Sequence, residues 1–338
     1  MRAFVITEPG RGGVEDVEPP TAAPGHVVVD VERAGVCGTD VEFFTGAMAY
    51  LHQGHARYPM RPGHEWCGVV TALGDGVERG WLGQRVTADT MLGCGRCRRC
   101  RAWRHHVCDD RFEIGVRGGW HGALAEQLTV PAGALHPLPA AVDATAGALV
   151  EPGGNALRAV EAAALAPGER LLVAGPGTIG LLAAAFALAR GAEVHVLGVT
   201  EPSLAFARTL GVHGAWTAEN LPDDQPYDAV IDASTARELP ARALDLVEPG
   251  RRVVCIGLAA RPSTVDTRTL VLRDVTAVGI LGASAGLAPA IAAYASGAVD
   301  PRPLMAATRG LDAAADILAG TRPPGAGPGP KFHIDPRA

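Results

Sequence analysis

Four cysteines stand within fifteen residues, as Cys94-Gly-Arg-Cys97-Arg-Arg-Cys100 followed by Cys108. Four thiolates at that spacing suit a tetrahedral zinc closed to water, which makes such a site structural rather than catalytic. A metal-free cluster would leave four adjacent thiols open to oxidation, and an iron–sulfur centre would call for further cluster-type cysteines that the chain does not show. A second, scattered set offers a different chemistry. Cys37-Gly38-Thr39-Asp40, Gly63-His64-Glu65 and Glu151-Pro152 bring one thiolate, one imidazole and one or two carboxylates, the mixed set of a zinc that keeps a position for substrate or water. Each member has a bland reading by itself: a cysteine after a strand is usually core, a His–Glu pair a surface hydrogen bond, and Glu-Pro the start of a helix. Only the combination points to a metal, and spacing does not show that the residues meet in space.

Chemistry of a third kind is written in Gly175-Pro176-Gly177-Thr178-Ile179-Gly180, a G-x-G-x-x-G turn directly after Leu171-Leu172-Val173-Ala174 and at the mouth of a helical pattern. The first glycine permits the tight turn, the second lets backbone approach a pyrophosphate, and the third lets helix and strand pack closely. Thr178 and Ile179 open the helix whose N-terminus would face the phosphates. The fingerprint expects a carboxylate about 20 residues on, to bind the adenosine ribose. Here the strand Glu193–Leu197 ends at Gly198, and Thr200-Glu201-Pro202 reads as a helix cap and first turn. With no carboxylate to repel a 2′-phosphate, NAD(P) binding leans to NADP, although no arginine lies immediately beside Gly198 to clamp it.

Positioning these groups takes two kinds of unit. Residues 1 to about 150 carry short β-type runs at Ala3–Thr7, Val27–Val31, Trp66–Leu73, Gln84–Ala88 and Ala125–Val130, separated by Gly, Pro and Asp. From about Pro167 the pattern becomes strand, glycine turn, apolar helix and strand: Arg170–Ala174, Thr178–Arg190 and Glu193–Leu197. Further strands are expected at Tyr227–Ala233, Arg252–Gly257 and Val275–Leu281, with a turn at Glu248-Pro249-Gly250. Alternating strands and helices predict a doubly wound parallel sheet, hence an α/β chain with a β-rich companion. Helices are expected over Ala285–Gly297 and near Leu311–Ala319, a loop over Pro323–Pro330, and a closing strand over Lys331–Asp335.

At 338 residues two domains are the natural expectation. A formal charge of −6 and a pI near 6.0 argue against a general nucleic-acid or membrane-surface binder, so no nucleic-acid or membrane partner is expected. The four-cysteine stretch is the local exception, with Arg96, Arg98, Arg99, Arg101, Arg104 and His105 interleaved. A basic zinc module that binds nucleic acid is one reading; arginines that offset the thiolates' negative charge are the plainer one. The start reads as no signal peptide and no run of eighteen apolar residues appears. A cytoplasmic location with reduced thiols follows as the expectation, and the seven cysteines then read as ligands or core.

The order Cys37-Gly-Thr-Asp40, Gly63-His64-Glu65, four-cysteine lobe, Glu151-Pro152 and glycine turn resembles the zinc-containing medium-chain dehydrogenase/reductase family along nearly the whole chain. Glu151-Pro152 is similar to its polyol, glucose and threonine dehydrogenase branch rather than to the classical alcohol dehydrogenases. The resemblance implies a GroES-like catalytic domain of residues 1–151, completed by 285–338, around a Rossmann domain of 152–284. It implies two Zn2+ per chain: a catalytic one on Cys37, His64 and Glu65, with Glu151 bound directly or through water, and a structural one on Cys94, Cys97, Cys100 and Cys108. A homodimer or homotetramer is implied as well. One departure stands out, because Glu42 occupies a position where many relatives carry histidine.

The implied reaction moves a hydride between a secondary alcohol, such as a sugar, cyclitol or other polyol, and NAD(P), with a small-molecule alcohol or ketone as the partner. Thr39 is the implied first hydroxyl of a proton relay, and Glu65 or Glu151 would exchange with water on the metal. The segment between Gly46 and Gly63 carries Tyr50, His52, His55, Arg57 and Tyr58, which suit either a polar cleft or an ordinary surface loop. A zinc-scaffolded binding or regulatory protein is the alternative class. It would not need Cys37, Thr39, His64, Glu65 and Glu151 together, and a zinc-free reductase of the same fold would lack them.

Overall fold

Val27, Val28, Val29 and Val31 are buried while Asp30 and Glu32 are less so; the alternation from Val29 to Glu32 is that of a strand with one face on a core. In the computed structural model, which describes residues 1–222 and 226–338, that strand runs well past the valines to the residue before Cys37. The chain divides into two units, one of Met1–Glu151, Ala290–Gly327 and Lys331–Ala338, the other of Pro152–Pro289 and Pro328–Pro330. The handover expected at residue 285 therefore falls at Ala290, inside the helix Leu287–Ala295.

The first unit opens with a hairpin, β1 (Arg2–Glu8) on β2 (Arg11–Asp16). There follow β3 (His26–Val36), β4 (Glu65–Leu73) and β5 (Arg85–Ala88), then the short antiparallel pair β6 (Met91–Leu92) and β7 (Phe112–Glu113), and finally β8 (Gln127–Pro131) and β9 (Leu135–Pro137). Phe4, Ile6, Phe43, Trp66 and Leu128 pack into its core. Burying one such side chain stabilises by about 1.5–3 kcal/mol, so the sheet's inner face holds the unit together.

The second unit contains β10 (Arg170–Ala174), β11 (Glu193–Leu197), β12 (Gly214–Trp216), β13 (Tyr227–Asp232), β14 (Val247–Cys255) and β15 (Thr276–Gly279). All are parallel, in the order β12-β11-β10-β13-β14-β15. The order reverses direction between β10 and β13, and open α/β sheets bind ligands outside the carboxyl ends of the strands at such a point. The helix Thr178–Ala189 is apolar almost all round and buries Leu181, Leu182, Phe186 and Ala187 against the sheet. Glu248-Pro249-Gly250 departs from expectation, lying inside β14 rather than in a turn. The pairing with β13 shifts register there, between Tyr227 and Ala229, and Gly250 takes φ +79°.

The chain then returns to the first unit. The helix expected near Leu311–Ala319 is one short turn plus Ala314–Leu318. A strand without a sequence signal, β16 (Met305–Gly310), pairs in parallel with β17 (Lys331–Asp335), and β17 pairs antiparallel with β3. The large sheet is thus ordered β16-β17-β3-β4-β5-β9, with β8 also on β3. No helix among the described residues is long and apolar enough to cross a membrane.

His333 on β17 is fully buried with neither ring nitrogen hydrogen-bonded. Burial, helped by the nearby Lys331 and Arg33 charges, pushes its imidazole down to about 3, so it stays neutral. An unsatisfied buried polar group costs about 1–3 kcal/mol. His333→Leu is expected to leave stability unchanged or raise it by up to that amount, and a lower urea midpoint would count against this reading.

Candidate metal centres and dinucleotide turn

Strand pairing brings the scattered ligand set together. β3 ends at Val36 and hands Cys37 to the start of the helix Gly38–Thr45, while β4 begins at Glu65, directly after His64. Gly35 and Glu65 are register partners across the β3–β4 pair. Ligand atoms of Cys37, His64 and Glu65 accordingly lie within 4.8 Å of one another. Zinc bonds of about 2.0–2.3 Å set tetrahedral ligand atoms roughly 3.3–3.8 Å apart, so one ion spans the group with small side-chain movement.

Asp40 organises this site from beneath. It is fully buried, accepts the Cys37 backbone N–H at 2.9 Å and the Gly63 N–H at 3.1 Å, and holds its Oδ1 3.5 Å from His64 Nδ1. That last distance is long for a hydrogen bond, and Nδ1 has no closer partner. With Nδ1 turned to a carboxylate, Nε2 is the nitrogen left for a metal, the usual carboxylate–histidine–metal order. Burial works against the His64 cation, yet the Asp40 charge and the Cys37 contact carry its pKa well upward.

Lys331 was not singled out from sequence. Its ammonium donates to Glu65 Oε2 at 2.5 Å and to the Val36 carbonyl at 2.9 Å, with both side chains of the ion pair only 2% exposed. Burial alone would depress it, but Glu65, Cys37 and Asp40 together hold its pKa above the ordinary lysine range. The only sequence signal was a lysine at an alternate position of a short apolar strand, which by itself reads as an edge residue. Thr39 sits half-buried on the first turn after Cys37. Glu151 is buried in the first turn of the helix Val150–Ala163, outside the converging trio.

The four cysteines also converge. Cys97 Sγ lies 3.5 Å from Cys100 Sγ and 3.8 Å from Cys108 Sγ, and Cys94 Sγ lies 4.0 Å from Cys100 Sγ. These distances are far from a disulfide at about 2.05 Å and match the roughly 3.8 Å edge of a tetrahedral zinc–thiolate site. Backbone N–H groups of Arg96 and Cys97 lower the Cys94 thiol to about 6, which favours the thiolate a metal needs. Two of the interleaved arginines are engaged locally: Arg99 pairs with Asp109 at 2.5 Å, and Arg101 bonds the Arg96 carbonyl at 2.8 Å. All seven cysteines are free thiols.

In the second unit the glycine turn has the sterics its sequence required. Gly175 has φ +100°, and a Cβ on Gly180 would sit 1.9 Å from the Gly175 carbonyl, so neither tolerates a side chain. Gly177 faces open space, as a backbone approached by phosphate must. Thr178 and Ile179 begin the helix Thr178–Ala189. A cavity of about 490 Å³ opens beside the turn, lined by Gly175, Pro176, Gly198, Thr217, Ser234 and Arg242 among others. Of these, Thr217, Ser234 and Arg242 carry no motif and were missed from sequence. Thr200 precedes the helix Glu201–Thr209, with its hydroxyl 2.8 Å from that of Ser203.

Comparisons with known proteins agree with this geometry. The alcohol dehydrogenase GroES-like domain family matches residues 23–140, and the zinc-binding dehydrogenase family matches 178–296. An L-threonine 3-dehydrogenase of Idiomarina loihiensis is 32% identical over 277 residues, covering 79% of this chain and 80% of that one. Among solved structures, an alcohol dehydrogenase from E. coli CFT073 complexed with NADH superposes with TM-score 0.90 at 25% identity, covering 99% of both chains. A zinc-binding dehydrogenase from Sinorhizobium meliloti 1021 bound to NADP does so with TM-score 0.89 at 25% identity, again covering 99% of both. The chain belongs to the zinc-dependent medium-chain alcohol dehydrogenase family, with a GroES-like domain and a Rossmann-type parallel sheet. It is an oxidoreductase that acts on CH–OH groups.

If the four-cysteine lobe is structural, Cys94→Ser should lower the melting temperature and remove one zinc per chain. Unchanged melting with metal lost would show instead that the lobe does not support the fold.

Proposed function

We propose that the protein oxidises a secondary alcohol, or reduces the matching ketone, on a zinc held by Cys37, His64 and Glu65, with NADP as hydride partner. The convergence of those three ligand atoms within 4.8 Å carries the reading. A zinc held there supplies Lewis acidity toward the substrate oxygen at neutral pH, and the nicotinamide supplies the hydride acceptor. The chain's own groups do the rest. Asp40 orients His64 and the Cys37 backbone. Thr39 would accept the substrate's hydroxyl proton while passing its own on, as the carbon's hydride goes to the nicotinamide and the alcohol becomes a ketone. Glu42 is partly buried, and desolvation pushes its carboxyl upward, which suits it to relay that proton in place of histidine. Glu151, outside the trio, acts through water. Cys94, Cys97, Cys100 and Cys108 hold the structural zinc.

The NADP preference rests on the end of β11. Gly198 stands where the usual ribose carboxylate would, and a Cβ there would sit 2.9 Å from both Leu204 Cδ2 and Pro176 Cγ, which would have to give way. Glu201, the next acid along the chain, is tied to Arg208 at 2.5 Å. Sugars, cyclitols and other polyols are the substrate class we favour, in keeping with Glu151-Pro152. A screen that also contains L-threonine decides this, and turnover of threonine over every polyol overturns it. A homo-oligomer is supported by the free edge of β15, three of whose four residues are exposed, and by Val271 and Leu272 at 79% and 84% exposure beside it. A single-chain mass in light scattering removes that part. Seven unpaired thiols favour the cytoplasm.

Purified protein is expected to contain two zincs per chain. His64→Ala should stay folded, lose one zinc, and lose more activity than the roughly 10–100-fold typical of changes around a metal's outer partners; a value near one zinc in the unaltered protein would sink the open site. Fluorescence titration should show NADP binding at least about tenfold tighter than NAD, a difference of about 1.4 kcal/mol, and a clear NAD preference would reverse the assignment.

A further inference from the structure

Glu65 is held by a residue outside the ligand trio. Its Oε2 lies 2.5 Å from Lys331 Nζ, and a Cβ on Gly35 would come 2.3 Å from the same oxygen. That oxygen is therefore wedged between the lysine and bare backbone, and Oε1 is the one left for a metal. The register explains how a lysine reaches there. Glu65 and His333 both pair with Gly35, and Lys331 lies two residues from His333, so all of them share one face of the sheet. The second Lys331 bond goes to the carbonyl of Val36, next to Cys37. One ammonium from the end of the chain thus ties down the strand ends that carry two of the three ligands.

Charge balance points the same way. Cys37 as thiolate, Glu65 and Asp40 bring three negative charges into a site where Asp40 and Glu65 are buried. Among these three a divalent metal alone leaves one negative charge uncompensated, and Lys331 sets a positive charge against it. A carboxylate can bind a metal through one oxygen or both, and a second bound oxygen would fill the position a substrate needs.

We propose that Lys331 is a positioning residue that restricts Glu65 to one metal-facing oxygen, keeping a coordination position open for the substrate. The inference rests on the Cys37–His64–Glu65 metal site proposed above. It goes beyond that site in assigning its openness to a residue on the C-terminal strand. A lysine with a purely structural role would affect stability and leave metal geometry alone.

The test substitutes cobalt at the open site, with zinc kept in the four-cysteine lobe, and reads the visible absorption, which weakens as coordination rises from four to five. Lys331→Met should lower the absorption per cobalt at least twofold, with kcat falling about 10–100-fold. Lys331→Arg, which keeps the cation, should keep the original spectrum. Adding Glu65→Gln to Lys331→Met should give the spectrum of Glu65→Gln alone. If Lys331→Met does not fold, Lys331→Ala, which also removes the donor to Glu65 and leaves room for water, carries the same comparison. An unchanged spectrum in the variant that folds overturns the role of Lys331. Absence of any open-site cobalt in the unaltered protein overturns the site itself, and the two failures are told apart by metal content.

Discussion

Asp40, His64, Glu65 and Lys331 are all buried within one sheet and its first helix. Removing a charge from water costs several kcal/mol unless partners replace the lost solvent, and here each group is compensated by another from a different segment. Asp40 lies on the helix after β3, Glu65 starts β4, and Lys331 starts β17. None can be withdrawn without stranding its partners, so the register of β4 and β17 on β3 is bound to the electrostatics of the metal site. The apolar core around Trp66 and Phe43 gives the sheet its stability, but an apolar core alone would accept other registers. The buried charges accept one.

The second unit obeys a different constraint, steric rather than electrostatic. Backbone comes so close at Gly175 and Gly180 that a single added carbon would not fit, and the open space at Gly177 is what those contacts leave over. Gly198 follows the same rule. There the Pro176 and Leu204 side chains crowd the position, so a Cβ would force them to move.

The four-cysteine lobe is autonomous by comparison. Its ligands are close in sequence, its sulfur separations already match a tetrahedral ion, and its arginines are partly spent on Asp109 and on the lobe's own backbone. Local chain geometry suffices to build it, whereas the open site needs β4 paired to β3 to join its ligands and β17 paired to β3 to bring Lys331 to them. That contrast fits their roles. A closed site needs only to hold, and an open one has to present a vacant position in fixed surroundings.

Legibility from sequence follows the same division. Short-range features were readable because their chemistry is written in neighbouring residues: the four cysteines, the glycine turn with its strand and helix, and the parallel β–α alternation. Cys37, His64 and Glu65 were readable as types, and the order of motifs joined them. Only the tertiary structure put their ligand atoms within 4.8 Å and turned Glu248-Pro249-Gly250 from an expected turn into part of β14. Lys331 marks the limit most clearly. A lysine in the last strand carries no local sign of its partner, because Glu65 lies 266 residues away and the pairing exists only once β17 has found β3. Sequence by itself determined which chemistry the chain carries; long-range strand register, with the charge compensation it enforces, decided where that chemistry is assembled.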